Sequence, residues 1–123
     1  MDDADIFQFI ERTYDQGFVW GLVDKNEEWA LVESTKYDNI FVMPFWSSNE
    51  IPKKVCTGEW AEYKPHQIAI ETFLDDWLVG MHSDVFLAGL DWSESLDGVE
   101  YEPLDLLEYF EMNKEGFYLR VES

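Results

Sequence analysis

The sequence predicts an α+β fold with a mixed, mostly antiparallel sheet of about five or six strands and three or four short helices. Segments with the apolar spacing of helices alternate with short β-rich segments, in mixed order and with short connections. Aromatic residues make up 17% of the chain. A disordered chain would be poor in them, because it cannot bury enough apolar surface to offset its conformational entropy. The sequence therefore predicts a folded protein with a sizeable core.

The whole chain, residues 1–123, is expected to form one domain. Its length is close to that of a typical single domain. No internal repeat, low-complexity tract or linker rich in Pro, Gly or Ser divides it. Two separate cores are therefore not expected.

The first elements are a helix followed by a hairpin. The helix has an acidic N-terminus, ends at Gly17 and carries an apolar face. The residues of that face are Ile6, Phe7, Ile10 and Tyr14. Phe18 to Val23 and Trp29 to Val32 then read as strands, and the turn-like residues 24–27 between them predict the hairpin.

A third β-rich segment, Ile40 to Phe45, precedes a short second helix. Asn49 is the preferred N-cap, because Pro52 then falls within the first turn, where its missing N–H costs little. The alternative cap, Ser47, would place this proline deep in the helix. The helix is expected to end at Thr57-Gly58.

The next segments predict a strand, a third helix and a central strand. His66 to Ile70 is the first strand, and Gly80 is the expected end of the helix. Val85 to Leu90, the most apolar stretch in the chain, reads as the central strand. The helix is predicted from an apolar stripe formed by Phe73, Leu74, Trp77 and Leu78.

The last elements are a short strand, a fourth helix and an edge strand. Asp97-Gly98 predicts a turn before the strand Val99 to Tyr101. Pro103 begins the helix, because proline is favoured at the first helical position. Phe117 to Val121 alternates apolar and polar residues, which predicts an edge strand. The residues expected on the inner side of the helix are Leu104, Leu107 and Phe110.

Charge is the most unusual property of the sequence. It has 27 acidic and 8 basic residues, a net charge of −19, and no Lys or Arg between Pro65 and Asn113. Nucleic acids and anionic membrane surfaces are disfavoured as partners, because Lys and Arg supply most of the attraction to them. A basic protein partner is favoured instead, since opposite potentials steer encounter. The alternative is that the acids only form a solubilising surface.

The sequence is expected to be that of a cytoplasmic protein. No segment approaches the roughly 18 apolar residues that span a bilayer. The N-terminus, Met1 to Asp5, is acidic where a secretory signal needs positive charge. Cys56 is the only cysteine, which excludes an internal disulfide and fits a reducing compartment.

No motif indicates catalysis, and the interpretation leans away from an enzyme. His66 and His82 are the two candidates for proton transfer near neutral pH. A pairing of either with Cys56 stays open, although a small buried cysteine is the ordinary interpretation. For His82, a position near a helix C-terminus is favourable in itself. Neither a Walker loop nor Gly-x-Gly-x-x-Gly occurs, so no cofactor is expected.

One segment has partial calcium-loop spacing. From Asp91 onwards, oxygen-bearing side chains occupy offsets 1, 3, 5 and 7, and Glu102 stands at offset 12. Leu96, however, occupies offset 6, where the sharp turn of such a loop needs glycine. A solvated acidic turn is favoured over a calcium site, and no metal is expected.

Several tryptophans at the ends of predicted elements are candidates for recognition. Exposed aromatic rings beside carboxylates would suit a cationic or aromatic partner. The alternative is that they cover the core while each indole N–H reaches a backbone carbonyl. With the neighbouring polar residues, the candidate binding residues are Trp46, Ser47, Trp60, His82, Asp91 and Trp92.

The sequences of several segments resemble those of a family of small bacterial proteins, domain of unknown function 2750. The matching segments span about residues 17–110 in the expected order. They include Met43-Pro44-Phe45-Trp46-Ser47-Ser48, Gly58-Glu59-Trp60-Ala61-Glu62-Tyr63-Lys64-Pro65, Phe73-Leu74-Asp75-Asp76-Trp77-Leu78-Val79-Gly80-Met81 and Gly89-Leu90-Asp91-Trp92. The resemblance implies a bacterial cytosolic protein, and it supplies no catalytic residues.

These observations favour a non-catalytic acidic domain that binds a protein partner, preferably a basic one. An immunity protein that blocks a cationic toxin is a concrete version, because such proteins are often small and acidic. The alternative is a small-molecule binder or enzyme whose pocket lies near Trp46, Trp60, His82 and Trp92.

Overall fold

The computed structural model describes residues 4–96 and 98–122, with side chains for residues 6–96 and 98–112. Four helices and six strands confirm the predicted α+β class. The first half contains α1 (Ala4–Gln16), β1 (Phe18–Val23), β2 (Val32–Glu33), β3 (Phe41–Phe45), α2 (Glu50–Val55) and a 3₁₀ turn (Gly58–Trp60). The second half contains β4 (Lys64–Ala69), α3 (Ile70–Thr72, Phe73–Trp77 and Leu78–Asp84), β5 (Leu87–Leu90), β6 (Glu100–Tyr101) and α4 (Pro103–Glu122).

The strands divide into two sheets. β1 pairs with β4 in an antiparallel sheet, and the other sheet has the order β2-β3-β5-β6. Only β3 and β5 pair in parallel among the described strands, with Val42 opposite Leu87. The backbones of Trp20 and Trp46 exchange two hydrogen bonds of 2.8 and 2.9 Å, which join the sheets.

The larger sheet is covered on both faces, because successive strand residues point to opposite sides. On one face, Met43 and Ala88 pack into a cluster with α1, α3 and α4. On the other, Val42 and Leu87 pack with Val55 of α2. Burial on both sides is typical of a parallel strand pair and explains the apolar character of β3 and β5.

The helices differ from prediction mainly in which residues face the core. On α1, Phe9 is buried, whereas the predicted Phe7 is exposed and packs edge-on against Tyr109 at 6.1 Å. On α4, Leu106 is buried and the predicted Leu104 is exposed. Where apolar residues are adjacent or two positions apart, spacing alone does not decide which of them faces the core.

The predicted end of α1 and the predicted start of α2 are confirmed, but α2 ends at Val55, two residues before the predicted Thr57-Gly58, and the predicted end of α3 is wrong. Gly17 ends α1 with φ +90°, and Asn49 is the N-cap residue of α2, without a side-chain capping hydrogen bond. α3 runs past Gly80 to Asp84, because Leu78 and Met81 are both buried beside this glycine. That burial offsets the cost of about 1 kcal/mol for glycine inside a helix.

α3 also contains a π-helical turn, Phe73–Trp77, where the Leu78 N–H donates to the Phe73 carbonyl.

Two predicted strands differ as well. Of the predicted strand Trp29 to Val32, only Val32 belongs to β2, and Trp29 forms an isolated β-bridge with Val23. Residues 117–121 belong to α4 and are helical. The described helices include none that is both long and apolar enough to cross a membrane.

The loop between β2 and β3 is tied to β6 by a buried carboxylate. Glu100 accepts hydrogen bonds from Ser34 Oγ at 2.6 Å, Thr35 N at 2.9 Å and Thr35 Oγ1 at 3.1 Å. Burial opposes its ionisation, but the hydrogen bonds from Ser34 and Thr35, with Lys36 nearby, outweigh burial and lower the pKa of Glu100. The ionised form therefore holds this loop in place.

Replacing Glu100→Gln is expected to lower the free energy of unfolding by about 1–3 kcal/mol at pH 7, because a charged acceptor of three hydrogen bonds is lost. The pKa is lowered on folding, so the stabilisation is complete above the ordinary value of 4.5 and disappears as the pH falls through the lowered value. Denaturant titrations of both proteins from pH 7 to pH 3 measure this difference, which should narrow below pH 4.5.

The exposed Glu102→Gln change is the control, and it should alter the free energy of unfolding by less than about 0.5 kcal/mol at pH 7. A difference between Glu100→Gln and the unmodified protein that stays constant down to pH 3 would contradict the role given to the Glu100 carboxylate.

Candidate functional site

Four of the six predicted site residues meet where β3 and β5 end. Trp46 and Ser47 follow β3, and Asp91 and Trp92 follow β5. Parallel neighbours end at the same edge of a sheet, so the residues that follow them come together. We call these four residues the Trp46–Trp92 cluster.

The cluster is held by hydrogen bonds to its own members and to the backbone. Trp46 Nε1 donates to the Trp92 carbonyl at 2.8 Å, and Trp92 Nε1 donates to the Val99 carbonyl at 2.9 Å. The Asp91 carboxylate accepts from Ser47 N at 2.7 Å and from Ser47 Oγ at 2.9 Å. Asp91 adopts φ +50°, a conformation that aspartate tolerates better than most residues.

The two indole rings are structural. Trp46 is 1% and Trp92 is 3% exposed, so neither ring faces solvent where a partner would meet it. Both agree with the alternative interpretation of the sequence, in which the tryptophans cover the core and donate their N–H groups to backbone carbonyls. The cluster therefore braces the ends of β3 and β5.

A cavity of about 450 Å³ lies beside the cluster. Ser47 and Asp91 form one side of it, and Gln8 and Arg12 of α1 contribute to another. Glu50, at the start of α2, brings a further carboxylate. The cavity thus places one guanidinium among acidic and hydroxyl groups.

Trp60 and His82, which were predicted to share a pocket with Trp46 and Trp92, do not line this cavity: Trp60 packs against the apolar cluster that contains Trp46 and Trp92, whereas His82 lies apart from both. Trp60 packs against Tyr63 with ring centroids 4.8 Å apart. His82 lies in the last turn of α3, and its side chain lines a different, open cavity. His82 precedes β5 and Trp92 follows it, so the length of this strand separates them.

The cavity that His82 lines is a groove of about 820 Å³. It runs between the loop at residues 36–40, the α3–β5 junction and the start of α4, and we call it the α3–α4 groove. Apolar and acidic side chains share its lining. The apolar residues are Tyr37, Ile40, Val85, Phe86, Leu87, Pro103 and Leu104, and the acidic residues are Asp38, Glu102 and Asp105.

Three of the apolar lining residues are unusually exposed. Tyr37 is 53%, Val85 63% and Leu104 42% exposed. Sequence analysis missed all three as site residues: it assigned Val85 to a central strand and Leu104 to the inner side of a helix, and it made no assignment for Tyr37. One feature of the sequence could have indicated that Val85 and Leu104 are exposed: each is next to an acidic residue, Asp84 or Asp105.

α3 and α4 together expose seven carboxylates among the residues whose side chains are described. The two helices pack against each other, with the rings of Phe73 and Phe110 6.1 Å apart. No Lys or Arg occurs between residues 65 and 113. We call their exposed carboxylates the acidic helix surface: Glu71, Asp75, Asp76 and Asp84 on α3, and Asp105, Glu108 and Glu111 on α4.

The carboxylates elsewhere also face water for the most part. Glu100 is the one buried acid among residues whose side chains are described. Within that same set, the ion pair between Lys25 and Glu62, at 3.3 Å, is the one salt bridge, and both side chains are largely exposed. The negative charge is therefore little compensated within the described part of the protein.

The candidates for chemistry are not assembled into a reactive centre. Burial raises the pKa of the Cys56 thiol, which disfavours the nucleophilic thiolate. His66 packs edge-on against Trp29 at 5.5 Å. Asp91 and Glu102, the first and last positions of the calcium-like spacing, line different cavities, and Asp97 lies outside the described residues. The described side chains include no group of three or more potential metal ligands.

Substituting Gly89→Ala tests the packing of the Trp46–Trp92 cluster. A Cβ at Gly89 would lie 2.3 Å from Trp92 Cε2, so the buried indole would have to move. We expect a loss of about 2–3 kcal/mol in the free energy of unfolding, measured by urea titration.

Gly80→Ala is the matched control, because Gly80 lies on the exposed face of α3 and nothing lies within 4 Å of its Cβ position. It should raise the free energy of unfolding by about 0.5–1 kcal/mol. Equal effects of the two substitutions would contradict the packing described for Trp92.

Comparison with protein families matches residues 6–110 to the family described as "Protein of unknown function (DUF2750)". A search among curated proteins finds no match. The matched range begins at the buried face of α1, ends at Phe110 of α4 and contains both the Trp46–Trp92 cluster and the α3–α4 groove. The chain belongs to the DUF2750 family.

Proposed function

We propose that this chain is a non-catalytic interaction domain of the bacterial cytoplasm that binds a basic protein partner through the acidic helix surface. The observation that carries the proposal is the exposure of seven carboxylates on two packed helices within a stretch that has no Lys or Arg. An immunity-type protein that neutralises a cationic toxin is one concrete form of this function.

Electrostatics supports a cationic partner over an anionic one. The exposed carboxylates on these two packed helices give their surface a negative potential, and a partner rich in Lys and Arg carries the opposite charge. Opposite potentials also accelerate encounter and suppress wrong partners. Nucleic acids and anionic membranes carry the same sign of charge as this surface, so we propose neither as a partner.

A small-molecule binder is the second candidate, and the cavity beside the Trp46–Trp92 cluster favours it. At about 450 Å³, this cavity falls within the size range of ligand sites. Arg12 would hold an anionic group, and Glu50 would hold an amine or hydroxyl. A thermal-shift screen with small zwitterions, repeated on Arg12→Gln, distinguishes this candidate from a protein-binding domain.

Affinity capture at low salt tests the proposed function. The tagged protein is compared with two variants that have the same net charge and four neutralised acids each. One carries changes on the acidic helix surface, namely Glu71→Gln, Asp75→Asn, Asp105→Asn and Glu108→Gln. The control carries exposed changes elsewhere, namely Glu27→Gln, Glu33→Gln, Glu59→Gln and Glu94→Gln.

We expect the unmodified protein and the control to capture basic proteins, and the helix-surface variant to lose them by about ten-fold. Capture should also weaken steeply as salt rises, because exposed charges are screened beyond about 10 Å at 0.1 M ionic strength. Captured proteins without a basic bias, or equal loss in both variants, would overturn the proposed function.

A further inference from the structure

We propose that the α3–α4 groove is the site at which the basic protein partner binds. Its occupant is a short segment of that partner in which large apolar side chains stand between Lys or Arg residues. This inference rests on the proposed function and adds to it a place and a chemistry of recognition.

The lining of the groove favours the binding of an apolar side chain. Tyr37, Val85 and Leu104 remain substantially exposed, whereas most other large apolar side chains in the described part of the protein are buried or half-buried. Below them lie the largely buried Leu87 and Pro103. An apolar group placed here would cover surface that is unfavourable in water, and burying a Val or Leu side chain fully is worth roughly ten-fold or more in affinity.

Val85 is the least expected of these residues. It ends α3 in the left-handed conformation, with φ +62°, where its N–H donates to the His82 carbonyl at 3.2 Å. Glycine is the usual residue at such a position, and a β-branched side chain there is strained. The fold thus holds a valine that does not favour helix termination and is 63% exposed at the groove. Such strain at an exposed site favours a role in recognition.

The acidic residues around the groove favour Lys or Arg on both sides of the bound apolar side chain. Asp38 comes from the β2–β3 loop, and Glu102 and Asp105 come from the start of α4. Asp84 of the acidic helix surface directly precedes Val85 in the chain. Lys36 is the one Lys or Arg that lines the groove among residues with described side chains. The groove therefore combines an apolar floor with a predominantly acidic rim.

This pattern disfavours a second copy of the chain as the occupant. A copy would bring another net charge of −19 to an already acidic rim, and repulsion between like charges would oppose the contact. A cationic and apolar segment meets both features of the groove at once.

Two synthetic peptides with blocked ends test the inference by NMR titration of the full-length protein at 50 mM salt. Each has three lysines on either side of a central pair, which is Leu-Leu in one peptide and Ser-Ser in the other. The Leu peptide is expected to bind about ten-fold more tightly than the Ser peptide. Its chemical-shift changes should centre on the methyl groups of Val85 and Leu104.

Val85→Gly separates recognition from folding. Glycine relieves the left-handed strain, so this variant should melt a few degrees higher than the unmodified protein. It should nevertheless reduce binding of the Leu peptide to the level of the Ser peptide. Val79→Ser is the control: Val79 is 46% exposed on the same helix but does not line the groove, and its loss should leave both affinities unchanged.

Equal binding of the two peptides, or full binding of the Leu peptide by Val85→Gly, overturns the inference. If that equal binding is salt-sensitive, the proposed function survives as a purely electrostatic contact. If neither peptide binds at low salt, the groove inference and the preference for cationic partners both fail.

Discussion

The parallel pairing of β3 with β5 sets the positions of the other elements around it. The two strands are buried on both faces, so their register is set by packing from both sides. Their carboxyl ends bring Trp46-Ser47 together with Asp91-Trp92. Their opposite ends bring the β2–β3 loop beside the end of α3. One strand pair thus positions both the braced cluster and the open groove.

The two ends of this strand pair treat polar and apolar groups in opposite ways. At the carboxyl ends, the indole N–H groups and the Asp91 carboxylate have hydrogen-bond partners within the protein. No buried side-chain nitrogen or oxygen among the described residues lacks a partner. At the other end, Val85 and Leu104 face solvent among carboxylates. The first arrangement stabilises the fold, whereas the second contributes little to stability and is better suited to a contact.

Much of the fold was predictable, because local physical rules act over a few residues. Pro52 limits where α2 begins, and the apolar residues of β3 and β5 indicate central strands. Helix faces were less predictable where apolar residues cluster, as with Phe7 and Phe9 on α1. The end of α3 was missed because Gly80 is tolerated inside a helix when Leu78 and Met81 are buried beside it. Local propensity was correct there, but tertiary packing outweighed it.

The candidate site divides along the same line. The α+β class, the strong negative charge and its concentration after residue 65 could be read from the amino-acid sequence, since they follow from composition and short-range periodicity. The burial of Trp46 and Trp92, the separation of His82 from them and the groove shared by Val85 and Leu104 became visible only in the folded protein. Those outcomes depend on which strands pair and which helices pack together, and contacts between residues far apart in the chain leave no short-range pattern in its sequence.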